Sequence, residues 1–201
     1  MNFRFKPIEI GVFNTSPDKA ICLNDGECSI ALTYGEYSLI DIIHSVLKKT
    51  GKANIAIATW SAGIKDAHQV KWMIEKDMIG EFMILTDHSY KTRQKKYAAS
   101  LEELFGIDCI RTSEIHAKFV IIKNENFAIS IISSMNLNAN KTCELFQVIV
   151  SQEVYNFLYD FCKAHFDYQQ PGFISEFSTI SDTLSKYFGT KIELSKHWSD
   201  E

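Results

Sequence analysis

Basic charge is not in excess in this chain, proline is scarce, cysteine is odd in number, and long apolar runs are missing. Lys and Arg total 21 against 25 Asp and Glu, a net charge of −4 with a pI near 5.9. An acidic body counts modestly against a long nucleic-acid footprint. Any surface for a polyanion must be a local patch, although a small pocket for one phosphate remains possible. The 3 prolines are Pro7, Pro17 and Pro171, and no Pro-rich linker, internal repeat or low-complexity tract is present. The 5 cysteines (Cys22, Cys28, Cys109, Cys143, Cys162) include no CxxC pair. Reduced thiols are expected, not a disulfide or zinc framework. No stretch approaches the ~18 apolar residues of a membrane span. MNFRFKPIEI carries no long apolar run behind its charges, so no signal peptide is expected. The expectation is a soluble, cytoplasmic protein with no membrane partner.

What is there suits one domain. The chain has 201 residues, 46% of them hydrophobic, enough for a sizeable core. Strands are predicted at 29–33, 54–60, 81–87, 115–122, 127–133 and 145–150. Helices are predicted at 37–49, closed by Gly51, at 64–79, ending at Gly80, at 92–105, before Gly106, and at 151–166. Lys123–Asn126 has the composition of a hairpin turn. Strands alternating with helices predict the α/β class: a mixed β-sheet flanked by helices on both faces. The domain is expected over residues 1–170. Residues 171–201 are expected to form a helical or irregular tail whose aromatics (Phe173, Phe177, Tyr187, Phe188, Trp198) pack back on it. The first 28 or so residues give the weakest pattern.

The chemistry concentrates in residues 116–144. His116 and Lys118 are two apart in a predicted strand, so period-two alternation points both the same way, with Ala117 opposite. A His and a Lys among Phe, Val and Ile are costly to bury without purpose. If the next strand returns through the 123–126 turn, Ser134 and Asn136 share the pole of His116 and Lys118. Glu144 opens the following strand at that pole. A cation, two neutral hydrogen-bonding groups, a carboxylate and an imidazole around one point suit a phosphate.

The run IHAKFVIIKNENFAISIISSMNLNANKTCELFQVI resembles the signature of the phospholipase D-like superfamily: His-x-Lys, a strand, Gly/Ser-Ser-x-Asn, then a downstream Glu. It is most similar to the single-motif branch, which includes small bacterial endonucleases, and the resemblance covers about residues 35–166. It implies that His116 is a nucleophile forming a phosphohistidine. Lys118, Ser134 and Asn136 would bind phosphoryl oxygens, and Glu144 would fix the His116 tautomer. A second His must protonate the leaving oxygen. With one His-x-Lys copy, the resemblance implies a homodimer pairing two His116 residues. Two positions depart from the pattern: Lys123 stands where the family often has Asp, and Ser133 where it usually has Gly.

The expected activity is therefore a metal-independent phosphodiesterase, a nuclease acting on DNA or RNA, with no cofactor. The alternatives are a catalytically degenerate nucleic-acid-binding or assembly module and, less favoured, a lipid phosphodiesterase. Among the other residues, His88 follows Asp87 and is expected in a solvated loop rather than a dyad. Trp60 and Ser61 end a strand and either line the cleft or merely pack. His44, His68, His165 and His197 receive no role. The basic run Lys91–Lys96 reads as a solvated helix face, or as a track for a nucleic-acid backbone.

Overall fold

The computed structural model describes residues 6–12, 16–138, 141–174 and 176–189. The chain opens with strand β1 (Lys6–Val12), a single helical turn α1 (Pro17–Ala20) and β2 (Glu27–Thr33). Helix α2 (Leu39–Thr50) starts where Asp41 accepts the Ser38 amide at 2.7 Å and stops at Gly51, whose φ of 80° needs no Cβ. Then come β3 (Ala53–Thr59), α3 (Ile64–Glu75) and β4 (Ile79–Asp87). Helices α4 (Tyr90–Arg93) and α5 (Lys95–Phe105) lead to β5 (Ile110–Ser113). Strands β6 (Lys118–Lys123), β7 (Ala128–Ser133) and β8 (Glu144–Val150) follow, then α6 (Gln152–Tyr168) and α7 (Phe177–Phe188).

The strands form one mixed sheet in the order β1-β2-β8-β7-β6-β3-β4-β5. Pairing is antiparallel from β2 through β8, β7 and β6 to β3, and parallel at both margins. Central strands are buried on both faces, which is why they read as continuous apolar runs. One face packs Ile57, Ile84, Val120, Ile131 and Val148 under α2, α3 and α5. The other packs Ala56, Leu85, Phe119 and Ile121 under Tyr155 and Cys162 of α6. The α/β class with helices on both faces is thus the observed architecture.

Several boundaries differ from the sequence reading. The helix predicted to Gly80 ends at Glu75, because Asp77 adopts φ 58° and the Met78 amide returns to the Met73 carbonyl at 3.0 Å. Ile79 and Gly80 then join β4. The helix predicted over 92–105 is broken at Gln94 (φ −134°, ψ 51°). Strand β5 was not foreseen: Arg111, Thr112 and Ser113 are polar yet buried. It lies at the sheet margin beneath residues 169–174, where Gly172 donates to the Ile110 carbonyl (3.0 Å) and Ile174 to the Thr112 hydroxyl (3.2 Å). The strand predicted from Ile115 begins at Lys118. Residues 177–188 of the expected tail form α7, where Tyr187 meets Phe161 of α6 edge to face at 5.9 Å. His197 and Trp198 lie outside the described residues.

Candidate functional site

The register gathers one end of almost every strand. Thr33 pairs with Glu144, Ser133 with both Phe146 and Lys118, Ala58 with Phe119, Thr59 with Thr86, and Asp87 with Ser113. The end of β7 therefore returns beside the start of β6, as hairpin logic demands, and β8 opens next to it. His116, Lys118, Ser134, Asn136 and Glu144 all sit at this pole.

His116 precedes β6, so strand alternation does not bring it to Lys118. Lys118 folds back instead. Its Nζ donates to the His116 carbonyl at 2.6 Å and lies 3.1 Å and 3.3 Å from the two ring nitrogens. Near-equal distances place the ammonium over the imidazole instead of along one lone pair. Ala117 is among the residues that line the cavity together with both. The imidazole is exposed, whereas Lys118 is only 8% exposed. That burial pushes the Lys118 ammonium below its ordinary pKa, and the charge of Glu144 pulls the other way.

Glu144 accepts from the Ser134 hydroxyl and, at 3.0 Å, from Thr142. Ser134 is fixed further by the Leu145 amide, which donates to its oxygen at 3.0 Å. In this arrangement the carboxylate orients Ser134 and adds negative potential near Lys118. Ser133, the position where Gly was expected, accepts the Met135 amide at 3.0 Å and so shapes the turn into Asn136. Lys123 is at the opposite end of β6, bonded to Gln152 at 2.7 Å.

The 134–138 loop is anchored to the end of β3. Leu137 donates to the Ser61 carbonyl (3.2 Å) and accepts from the Gly63 amide (2.6 Å). The Thr59 hydroxyl accepts the Leu137 amide at 3.2 Å and donates to the side-chain Oδ1 of Asn136 at 3.4 Å. The approach is close: a Cβ on Gly63 would come to 3.1 Å from Asn138 Cβ, so a side chain there would require the loop to shift by a few tenths of an ångström.

Two groups join the site that sequence patterning did not assign to it. The Trp60 ring lies 5.6 Å from the His116 ring, and the Arg93 guanidinium sits 3.8 Å over Trp60. Trp60 thus packs between His116 and Arg93 at the site's edge, and it is not one of the cavity-lining residues. Residues 91–96 are exposed, as expected of a solvated face, but Arg93 turns its guanidinium onto Trp60 and Lys91 reaches Glu102 at 3.3 Å. His88 is not in a solvated loop: its side chain is 17% exposed and 3.6 Å from Asp87. Beside His116 opens a cavity of about 690 Å³ lined by Ile115, Ala117, Phe119, Ile132, Phe157, Leu158, Phe161, Tyr187 and Phe188, with Lys118 and Ser134 at its polar margin. Among the described residues, no three His, Cys, Asp or Glu side chains converge as metal ligands, and no helix is long and apolar enough to cross a membrane.

No family model and no curated protein matches the chain. Solved structures do. A phospholipase D family member, Nuc from Salmonella typhimurium, aligns over 72% of this chain and 98% of its own, with a TM-score of 0.53 and 17% identity. Phosphatidylserine synthase from Haemophilus influenzae Rd KW20 aligns over 75% of this chain but 40% of its own, with a TM-score of 0.49 and 12% identity. At the level of backbone architecture, the chain has a phospholipase D-like fold.

Proposed function

We propose that this protein is a metal-independent phosphodiesterase acting on nucleic acid through a phosphohistidine on His116. The observation that carries the reading is the buried Lys118 ammonium held against both His116 ring nitrogens, at the pole that also presents Ser134 and Asn136. The reading also draws on the signature resemblance. A ring nitrogen of His116 attacks phosphorus, the P–N bond forms and the P–O ester bond breaks. The leaving oxygen takes a proton from a second imidazole, which a homodimer supplies as His116 of another copy. Water then attacks the phosphohistidine and frees the imidazole. Lys118 offsets the phosphoryl charge, with Ser134 and Asn136 directing its oxygens.

Neither departure from the pattern argues for a silent module. Lys123 is remote from the chemistry, and Ser133 shapes the site loop. The test is cleavage of DNA and RNA by purified protein in EDTA. Turnover should persist there and vanish in His116→Ala. Strict dependence on a divalent metal would falsify the mechanism.

One observation favours a second reading. The cavity beside His116 is walled by aliphatic and aromatic side chains, which suits the hydrocarbon of an amphiphilic phosphodiester. Turnover of phosphatidyl substrates with none on nucleic acid would select that reading.

A further inference from the structure

We infer that Arg93 and Trp60 are positioning residues for His116, an inference that rests on His116 being the nucleophile. An exposed imidazole at the end of an irregular segment has many rotamers open to it, yet in-line attack on phosphorus tolerates few. Its own hydrogen bonds do little to fix it, because Lys118 holds the backbone carbonyl and hovers over the ring. The remaining constraint is a wall. Trp60, the first residue beyond β3, sets its indole 5.6 Å from the imidazole at a tilt of 56°.

That wall is itself braced. The Arg93 guanidinium covers the indole at 3.8 Å and donates to the Trp60 carbonyl at 3.4 Å. Both the ring and the backbone of Trp60 are therefore held by one side chain. Arg93 is tied down in turn: its Nε donates to Ser89 Oγ at 2.7 Å, and its Nη2 lies 3.5 Å from Asp87. Ser89 donates to the same Asp87 oxygen, and that carboxylate is only 7% exposed. A planar cation stacked on an indole and tied to a carboxylate both directly and through Ser89 is a rigid strut that lysine cannot reproduce. Asp87 ends β4, so the strut transfers the position of the sheet to the imidazole through Ser89, Arg93 and Trp60. The break between α4 and α5 at Gln94 belongs to the same device, since it leaves Arg93 at the end of a short turn beside Trp60.

The experiment compares Arg93→Met, Arg93→Lys, Trp60→Leu and Trp60→Phe in the full chain. Two readouts are taken: steady-state kinetics on a phosphodiester oligonucleotide in EDTA, and the His116 ring proton resonances without substrate. Arg93→Met and Trp60→Leu should each lower kcat about tenfold or more while KM changes by about twofold at most. Trp60→Phe, which keeps a ring, should recover much of kcat, and Arg93→Lys little. The His116 resonances should move in Trp60→Leu as the indole ring current is lost, and in Arg93→Met as the indole is released. If Trp60→Leu does not fold, the Trp60→Phe and Arg93 variants carry the same comparison. Unchanged kcat and unchanged His116 resonances in folded Arg93→Met would overturn the strut. If the wild-type protein cuts no phosphodiester while the resonances shift as stated, the strut stands and the catalytic reading falls.

Discussion

A lysine ammonium held almost out of water must be stabilised by what binds it. Burial lowers the pKa of Lys118 from 10.5 in the folded protein, so the unfolded chain binds its proton more readily. Stability therefore rises with pH between the lowered value and 10.5, and below that window the cost of the buried charge is fully present. Two outcomes follow. Lys118→Met should raise stability by about 1 kcal/mol in urea unfolding while abolishing turnover, the trade expected of a destabilised functional group. A bound oxyanion favours the ammonium form, so tungstate inhibition should weaken as pH rises through the lowered Lys118 pKa. A tungstate affinity that stays flat into the alkaline range would show that Lys118 does not meet the anion. At the same scale, the Ser134 hydroxyl is already directed by Glu144. Its one proton is engaged there, so on the proposed reading Asn136 and Lys118 are the principal donors for phosphoryl oxygens until Glu144 releases it.

Elements, not residues, decide whether these groups meet. Thr59 ends β3 and ties the 134–138 loop to it. Thr59→Val keeps shape but removes one of two acceptors of the Leu137 amide, which retains the Ser61 carbonyl, and the donor to Asn136 Oδ1, so it should cost about 1 kcal/mol in chemical denaturation and lower kcat as Asn136 loosens. Helix α6, which walls the cavity, carries a fully buried His165 whose Nδ1 lies 2.9 Å from the Phe161 carbonyl. Burial lowers its pKa from 6.5. Its contribution is complete above 6.5 and is lost as pH falls from there through the folded value, at up to about 1.4 kcal/mol per pH unit. His165→Leu should flatten that acid slope in a series of thermal melts.

The sequence made some of these elements legible and hid others for definite reasons. β3, β4, β6, β7 and β8 are buried on both faces and stand out as apolar runs. β5 hides because Arg111, Thr112 and Ser113 look like a loop until residues 169–174 cover them. Met78 and Ile79 fit the helical spacing of α3, but the left-handed Asp77 ends the helix and Ile79 opens β4. His116, Lys118, Ser134, Asn136 and Glu144 lie close in sequence, so a single hairpin suffices to assemble them. Trp60 and Arg93, 33 residues apart, share no periodicity, and their contact exists only in three dimensions.

At the scale of the whole molecule, the apolar surface beside His116 is the notable imbalance. Phe157 is 65% exposed and Phe188 53%, on the rim of the cavity that His116 also lines. Exposed aromatic patches of this kind mark association sites. On the proposed pairing of two imidazoles, the expected contact is this face, at an ordinary buried area of roughly 1,600 Å². Sedimentation should show a dimer, and Phe157→Glu should yield a folded monomer without turnover; a fully active monomeric variant would refute the pairing. The anchoring of residues 134–138 has a separate consequence for solvent access to the backbone. Leu137 is fully buried, and its amide and carbonyl are both bonded to the segment after β3. In deuterated buffer the Leu137 and Gly63 amides should therefore hold their protons for as long as those of neighbouring strands, although both belong to connecting segments.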